Sequence, residues 1–512
     1  MSNSKQLKLG VVLSYGQMIC GVLITLFYTP IMISKLGKSE YGLYSVVYSA
    51  ISMMSILSLG FNAGYIRYYS KYKRNENELA IYKLNAMFIT IFAVIGLVAL
   101  LCGFTLANHL SLVFDKGLTT KELERAKLLM ILLTINLAES FPASVFQNII
   151  SAHERFVVLK LFGIIKTVLS PLISIPLLLL GYKSIALVMV TFLVNIFVDS
   201  IYVYYTIYVL KQKFYWGRID VSLFKDLLVY TSFIAINIVV DQVNWNIDKL
   251  ILGRYRGTEE VALYATGFLL YQFYQTISSS ISSIFNPRIF RICELYKDDI
   301  EKKQIELSSL FIKVGRIQFI VTSFVCIGMI LLGKEFIILW VGDKYEISYY
   351  VALLLMVPAT IPLIQNLGID IQRALNKHRF RSLVYIVMAI INFVMSVYLG
   401  KKYGAIGTSI GTAISLVIAN GIIINIYYCL ACGIDIPRFW KNILSMSLGC
   451  ISPIIIVVII NHFCFMVDNW WSFIIKCIIY GICFLISVWL ISMNSYEKEL
   501  LLGSINRFLK RE

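Results

Sequence analysis

Apolar runs long enough to cross a bilayer recur about fourteen times along this 512-residue chain. A spanning helix needs roughly 20 mostly apolar residues. Such segments stand near 9–33, 40–65, 80–104, 126–150, 157–180, 184–209, 225–252, 260–286, 311–333, 348–370, 382–400, 404–430, 442–461 and 472–493. They leave little chain for a water-soluble domain. The composition agrees: 59% of residues are hydrophobic and only 15% charged, and the mean hydropathy is +0.78. Soluble domains carry about 25% charged residues. A soluble enzyme, a disordered scaffold and a fibrous protein are thereby excluded. The expected fold class is an all-α polytopic membrane protein.

The net charge is +17. In a soluble chain this would suggest a nucleic-acid partner; in a membrane chain it follows from topology. The N-terminus, 67–78, 151–156, 210–224, 287–310, 371–381, 431–441 and the C-terminal tail fall on one side of the apolar segments. That side holds roughly two thirds of the Lys and Arg, which makes it cytoplasmic and puts both termini inside. The run 9–33, preceded by Lys5 and Lys8, exceeds a signal-peptide core of roughly 7–15 residues and reads as a first spanning helix. The ten cysteines, Cys464 among them, lie mostly in apolar runs, where Cys acts as a small hydrophobe. Cys429 and Cys432 form a lone CxxC with no second pair or nearby His, a weak zinc signal. No metal cluster, cofactor motif, Walker A or HExxH sequence is present, and no catalytic residue is assigned.

An internal repeat appears at a spacing near 220 residues. Gly37-Lys38-Ser39-Glu40-Tyr41-Gly42-Leu43-Tyr44 matches Gly257-Thr258-Glu259-Glu260-Val261-Ala262-Leu263-Tyr264 at Gly, Glu, Leu and Tyr. Pro142 has its counterpart in Pro362, and Tyr182-Lys183-Ser184-Ile185-Ala186 in Tyr403-Gly404-Ala405-Ile406-Gly407. An offset of six helices gives parallel repeats about an axis along the membrane normal. The expected organisation is therefore two pseudo-symmetric six-helix lobes, 1–222 and 223–441, followed by two further helices and a tail, 442–512. Two such halves suggest a transporter with its substrate site between them.

Ionisable groups inside a bilayer are costly and point to function. The seventh segment is the richest. Asn237, Asp241, Asn244 and Asp248 share one helical face, flanked by Gln242, Trp245, Asn246 and Lys249. This stripe either lines a substrate or ion path or packs as a structural polar seam. Asp241, the deeper acid, is the better protonatable candidate. Glu139, Lys166, Asp199, Asp370 and Lys476 also fall within apolar segments. Lys166 either pairs with an acid or faces an anionic ligand. Asp370 either caps the cytoplasmic end of its helix or serves function, and Lys476 either snorkels outward or serves function. Arg67, Arg288, Arg291 and Arg373 close segments on the cytoplasmic side. They serve topology and lipid headgroups, or they meet a phosphate, which guanidinium matches bidentately. Trp245, Tyr230, Tyr271 and Tyr274 are candidate stacking platforms for sugar rings.

Several motifs in order resemble one family. They are Tyr28-Thr29-Pro30 with Leu36 to Tyr44, and Asn246 to Gly253 leading to Glu260 and Leu263-Tyr264-Ala265. Leu332-Gly333-Lys334-Glu335-Phe336 follows, with Trp340 to Tyr345, then Gln372 to Lys377 and Tyr403 to Gly407. Together they resemble the polysaccharide repeat-unit flippases (Wzx type) of the multidrug/oligosaccharidyl-lipid/polysaccharide exporter superfamily. The resemblance implies a V-shaped bundle of two six-helix lobes plus two helices. It implies transport of an undecaprenyl-pyrophosphate-linked oligosaccharide across the cell membrane by alternating access, without cofactor. Polysaccharide polymerase and glycosyltransferases are implied partners, beside membrane lipids. It carries substrate-binding roles to Arg67, Lys166 and Lys249, with Asn237, Asn244 and Trp245 on the same path. Asp241 and Asp248, which depart from a uniformly cationic cavity, are assigned to ion coupling. Arg288, Arg291 and Arg373 are assigned to the cytoplasmic mouth. A drug/cation antiporter of the same superfamily is the alternative, and a membrane glycosyltransferase or polymerase the other.

Overall fold

The computed structural model describes residues 3–114, 116–217, 221–463, 469–499 and 502, and among them there is no strand. Cys464 and the tail 503–512 lie outside the described residues. The helices are α1 (Asn3–Leu36), α2 (Lys38–Met53), α3 (Phe61–Arg74), α4 (Glu78–Asn108), α5 (Thr120–Ala152), α6 (Phe156–Leu179), α7 (Ser184–Tyr204), α8 (Val221–Tyr255) and α9 (Thr258–Ser283). They continue as α10 (Asn286–Leu295), α11 (Ile300–Val341), α12 (Glu346–Ile364), α13 (Leu367–Ala374), α14 (His378–Leu416), α15 (Ile436–Ser447), α16 (Ile451–Phe463) and α17 (Trp470–Ser487).

Eleven helical stretches are long and apolar enough to span a membrane, and α8, bent by 44° near Ser232, makes a twelfth. One of the eleven, 378–430, has 53 residues. At 1.5 Å per residue it would run about 80 Å, far beyond a hydrocarbon core of about 30 Å. Gly404, at φ 60° and ψ −137°, breaks it. The two arms fold back on each other, with Thr412 Oγ1 donating to Asn392 Oδ1 at 3.3 Å. The helix α9 falls below the apolar threshold, because Glu259, Glu260 and a run of Ser and Gln dilute it. With that hairpin divided and α9 included, the fourteen segments read from sequence are all helical.

The chain divides into two compact units, Met1–Ala262 and Leu263–Glu512. In the first, α4 packs on α5, α1 on α6, and α2 and α3 on α8. Its core is aromatic: Phe61, Tyr65, Tyr69, Phe88, Phe92 and Phe141 pack with Leu227 of α8. Gly42 of α2 is required by backbone contact. A Cβ there would sit 1.7 Å from the carbonyl oxygen of Thr258, at the start of α9. In the second unit, α11 packs on α12 and α15, and α12 on α14. Phe311, Ile371, Tyr428 and Phe439 lie at its core.

The sequence repeat reappears as local structure. Gly37 (φ 80°) and Gly257 (φ 93°) both stand at positive φ between two helices. Gly37 N–H donates to Ile33 O, and Gly257 N–H to Leu252 O. Pro142 and Pro362 lie inside α5 and α12. The third matched segments each lie beside a glycine of positive φ, Gly181 (φ 88°) before Tyr182 and Gly404 (φ 60°) after Tyr403.

Two expectations for single charges change. Lys476 does not snorkel; it is 3% exposed. Its ammonium donates to Glu335 of α11 at 3.1 Å and to Asn461 of α16 at 2.9 Å. A countercharge supplied by the neighbouring helix removes the reason to reach for water. Asp370 sits in the first turn of the short helix α13, not at the end of a span, and pairs with Arg373 at 3.0 Å.

Candidate functional site

The polar face of α8 is graded along its length. Asn237 and Asp241 are exposed, Asn244, Trp245 and Lys249 are half-buried, and Asp248 is 1% exposed. The closed end is the one nearest Tyr255. There Gly253 lies against Val46 and Phe114, and Arg254 Nη1 donates to Val113 O at 3.1 Å. Asn246, buried off the stripe, donates to Gln242 Oε1 at 2.8 Å. Thus the outer turns of α8 are anchored in the unit, while Asn237 and Asp241 stand at its surface. Hydrocarbon is a poor environment for an amide and a carboxylate, so an exposed pair at this depth marks a face meant for polar company.

Arg67 belongs to this face. It lies in α3, after helix α2 gives way to a 3₁₀ turn at Met54–Ser58 and a left-handed Leu59-Gly60 pair. Gly64 lets α3 close on α8, since a Cβ there would stand 2.8 Å from Leu227 Cδ2. One turn further along, the exposed Arg67 guanidinium lies 4.2 Å from the centroid of the Tyr230 ring on α8. The cation–π contact holds the side chain against α8 without neutralising its charge.

Lys166 has different company. It is half-buried in α6 and within electrostatic reach of Glu139 on α5 and Asp199 on α7. Asp199 is 5% exposed and accepts from Gln147 Nε2 at 3.1 Å. Glu139 Oε2 is buried and has no hydrogen-bond partner among the described residues. Asn195 of α7 donates to Asn136 of α5 at 2.8 Å one turn away. Three helices therefore enclose two acids and one base. The individual charges were visible in the sequence; their convergence was not, because they lie 27 to 60 positions apart.

The other arginines lie in the second unit. Arg288 and Arg291 are exposed on α10, which starts with Asn286-Pro287. Arg373 is exposed on α13, and α10 packs on α13. Both helices are short and follow a break, as α3 does. Tyr271 and Tyr274 are only 7% and 1% exposed, and Tyr274 hydroxyl is 2.7 Å from Thr360 Oγ1. Neither presents a ring face for a sugar. The sequence reading also missed a buried ion pair. Arg316 of α11 donates bidentately to Glu497 at 2.5 and 2.9 Å, and to Ser492 O at 2.9 Å. An Arg near the edge of an apolar run was the available signal. Glu40 of the first repeat motif is likewise structural. It is 7% exposed and bound by Arg125 at 2.7 Å and Ser184 at 2.5 Å.

The fold is that of a polytopic helical membrane protein. It is similar to a structure described as the lipid II flippase MurJ in an inward closed conformation (TM-score 0.72, 16% identity, covering 94% of this chain and 97% of that one). It is also similar to an inward-facing multidrug resistance MATE family transporter of the MOP superfamily (TM-score 0.61, 14% identity, 83% and 99% covered). A third likeness is to a MOP superfamily transporter from Pyrococcus furiosus (TM-score 0.56, 13% identity, 81% and 93% covered). The chain belongs to the polysaccharide biosynthesis protein family, whose model matches residues 8–293. This agrees with the family resemblance carried by the sequence motifs. No curated protein matches the chain.

Proposed function

We propose that the protein is a flippase. It moves an undecaprenyl-pyrophosphate-linked oligosaccharide repeat unit from the inner to the outer leaflet of the bacterial cytoplasmic membrane, for capsule, O-antigen or exopolysaccharide synthesis. The observation that carries this reading is the exposed polar face of α8 with the Arg67 guanidinium seated on it. A sugar headgroup entering hydrocarbon loses its hydration, and side-chain hydrogen bonds are the means of replacing it. Asn237, Asn244 and Trp245 supply donors and an aromatic ring, and Arg67 supplies a counter-ion for pyrophosphate. Lys249 is a further cation on α8, and Lys166, beside Glu139 and Asp199, is assigned to the substrate as well. Asp241 and Asp248 carry the coupling ion. Arg288, Arg291 and Arg373 collect anionic headgroups at the cytoplasmic mouth. The two six-helix lobes, 1–222 and 223–441, alternate access while the polyprenyl tail stays in lipid. Both termini face the cytoplasm, and no bond is made or broken.

Arg67→Ala tests the assignment. Surface polysaccharide, read by labelling intact cells, falls at least several-fold while membrane protein level stays constant. Wild-type polysaccharide in this variant removes Arg67 from the substrate role. The transport reading itself is tested in liposomes carrying the lipid-linked unit. The purified chain must speed its appearance on the opposite leaflet, scored by a membrane-impermeant glycosidase. A rate equal to that of empty liposomes defeats it.

A further inference from the structure

A cavity of about 350 Å³ opens in the first unit. Its walls are one face of α4, the turn before it, Tyr72 of α3, Leu223 of α8, and Tyr215, Trp216 and Gly217 from the irregular segment 211–217. The volume lies in the range of small-molecule sites, roughly 300–1,000 Å³. The segment is held in place rather than draped. Tyr215 N–H donates to Tyr82 O at 3.1 Å, and Asn85 Nδ2 donates to Lys213 O at 3.2 Å. Asn85 is itself buried and fixed by the Tyr65 hydroxyl at 2.7 Å. Phe214 packs on Phe146 and stacks with Trp216, centroids 6.1 Å apart and planes 29° from parallel. Trp216 is therefore backed by one ring and still 68% exposed.

The lining has a particular chemistry. Trp216 and Tyr215 supply aromatic faces, Leu84 and Met87 an apolar floor, and Lys83 and Asn77 polar groups. Asn77 uses its Oδ1 to cap α4, accepting from Ala80 N at 2.9 Å, which leaves the Nδ2 donors for other partners. A ligand that suits this set has a flat C–H face and a rim of hydroxyls. A pyranose ring has both: its C–H face stacks on indole, and its hydroxyls bond to ammonium and amide groups. A glycerophospholipid headgroup offers Lys83 a phosphate but has no flat face for Trp216. We propose that this cavity is a saccharide subsite that takes one pyranose ring of the lipid-linked oligosaccharide before transport. The identity of the ligand rests on the flippase reading. On the Lys/Arg bias the cavity lies at the cytoplasmic side, where such a ring is presented.

The test is saturation-transfer NMR on the full chain in phosphatidylcholine nanodiscs. The probes are methyl glycosides of neutral hexoses, N-acetylhexosamines and uronic acids. At least one class gives ring-proton transfer. Trp216→Ala weakens its affinity about tenfold, the scale of one stacking contact, while Trp216→Phe keeps most of it. Trp216 and Lys83 are both exposed, and membrane yield and melting temperature check that each variant folds. Lys83→Gln lowers affinity for the same glycosides. No transfer from any glycoside, or equal transfer in wild type and Trp216→Ala, overturns the proposal. So does loss of transfer on adding phosphatidylglycerol that Lys83→Gln reverses, because the site then belongs to an anionic lipid headgroup. In flipping liposomes, Trp216→Ala raises the substrate concentration for half-maximal rate and leaves the maximal rate unchanged. If wild type does not flip but still shows Trp216-dependent glycoside binding, the transport reading fails and the subsite stands.

Discussion

The residues that matter most are those whose charge is met by a neighbour chosen by the fold. Lys166 is the sharpest case, because Glu139 and Asp199 converge on it from two other helices. Removing the ammonium leaves two acids facing each other in a poorly solvated site, and their repulsion disfavours the native packing. Lys166→Ala is expected to lower both folded yield and surface polysaccharide. Lys166→Met with Glu139→Gln restores the charge balance. In that double variant the yield recovers while polysaccharide stays low, if Lys166 meets the pyrophosphate. Recovery of both, measured by membrane immunoblot and cell-surface labelling, would assign Lys166 to structure alone. Arg67 differs in kind: its exposed guanidinium rests on the Tyr230 ring.

Among the elements, α16 and α17 stand outside the repeat yet are bound firmly to α11. Lys476–Glu335 fastens one end of α17 to α11, and Tyr480 hydroxyl donates to Phe324 O at 2.6 Å in the middle. Beyond α17, Glu497 meets Arg316. Arg316 and Glu497 are 8% and 4% exposed, so either charge left alone is buried without compensation. Arg316→Met is expected to destabilise the second unit by about 3–5 kcal/mol. Replacing both partners, Arg316→Met with Glu497→Met, recovers most of that loss, because two apolar chains replace a desolvated pair. Thermal unfolding of the purified variants in one detergent decides it. A double variant no more stable than the single one would show that the bonds to Ser492 and Asn442, rather than the ion pair, hold the segment.

For the whole molecule, transport against a gradient requires an ion to favour one conformation over another. Of the two acids proposed for that role, Asp241 is exposed on α8, whereas Asp248 is enclosed near the anchored end. Asp241→Asn is expected to flatten the dependence of flipping on pH or on the cation gradient, while the variant keeps wild-type yield. Flipping liposomes with imposed gradients provide the measurement. An unchanged dependence would make the α8 stripe a structural seam.

Membrane residence, the fourteen segments and the matched turns at Gly37 and Gly257 were legible in the sequence. Each depends on local quantities: the length of an apolar run, or a backbone position that only glycine fills cheaply. The α8 stripe was legible too, since one helix sets its own face. What the sequence left open is which of these groups meet. Glu139, Lys166 and Asp199, Arg316 and Glu497, Lys476 and Glu335, and Arg67 and Tyr230 are distant in the chain and joined only by helix packing. Packing depends on the shapes of several helices at once, so tertiary structure alone decided that Lys476 is buried and Arg67 presented.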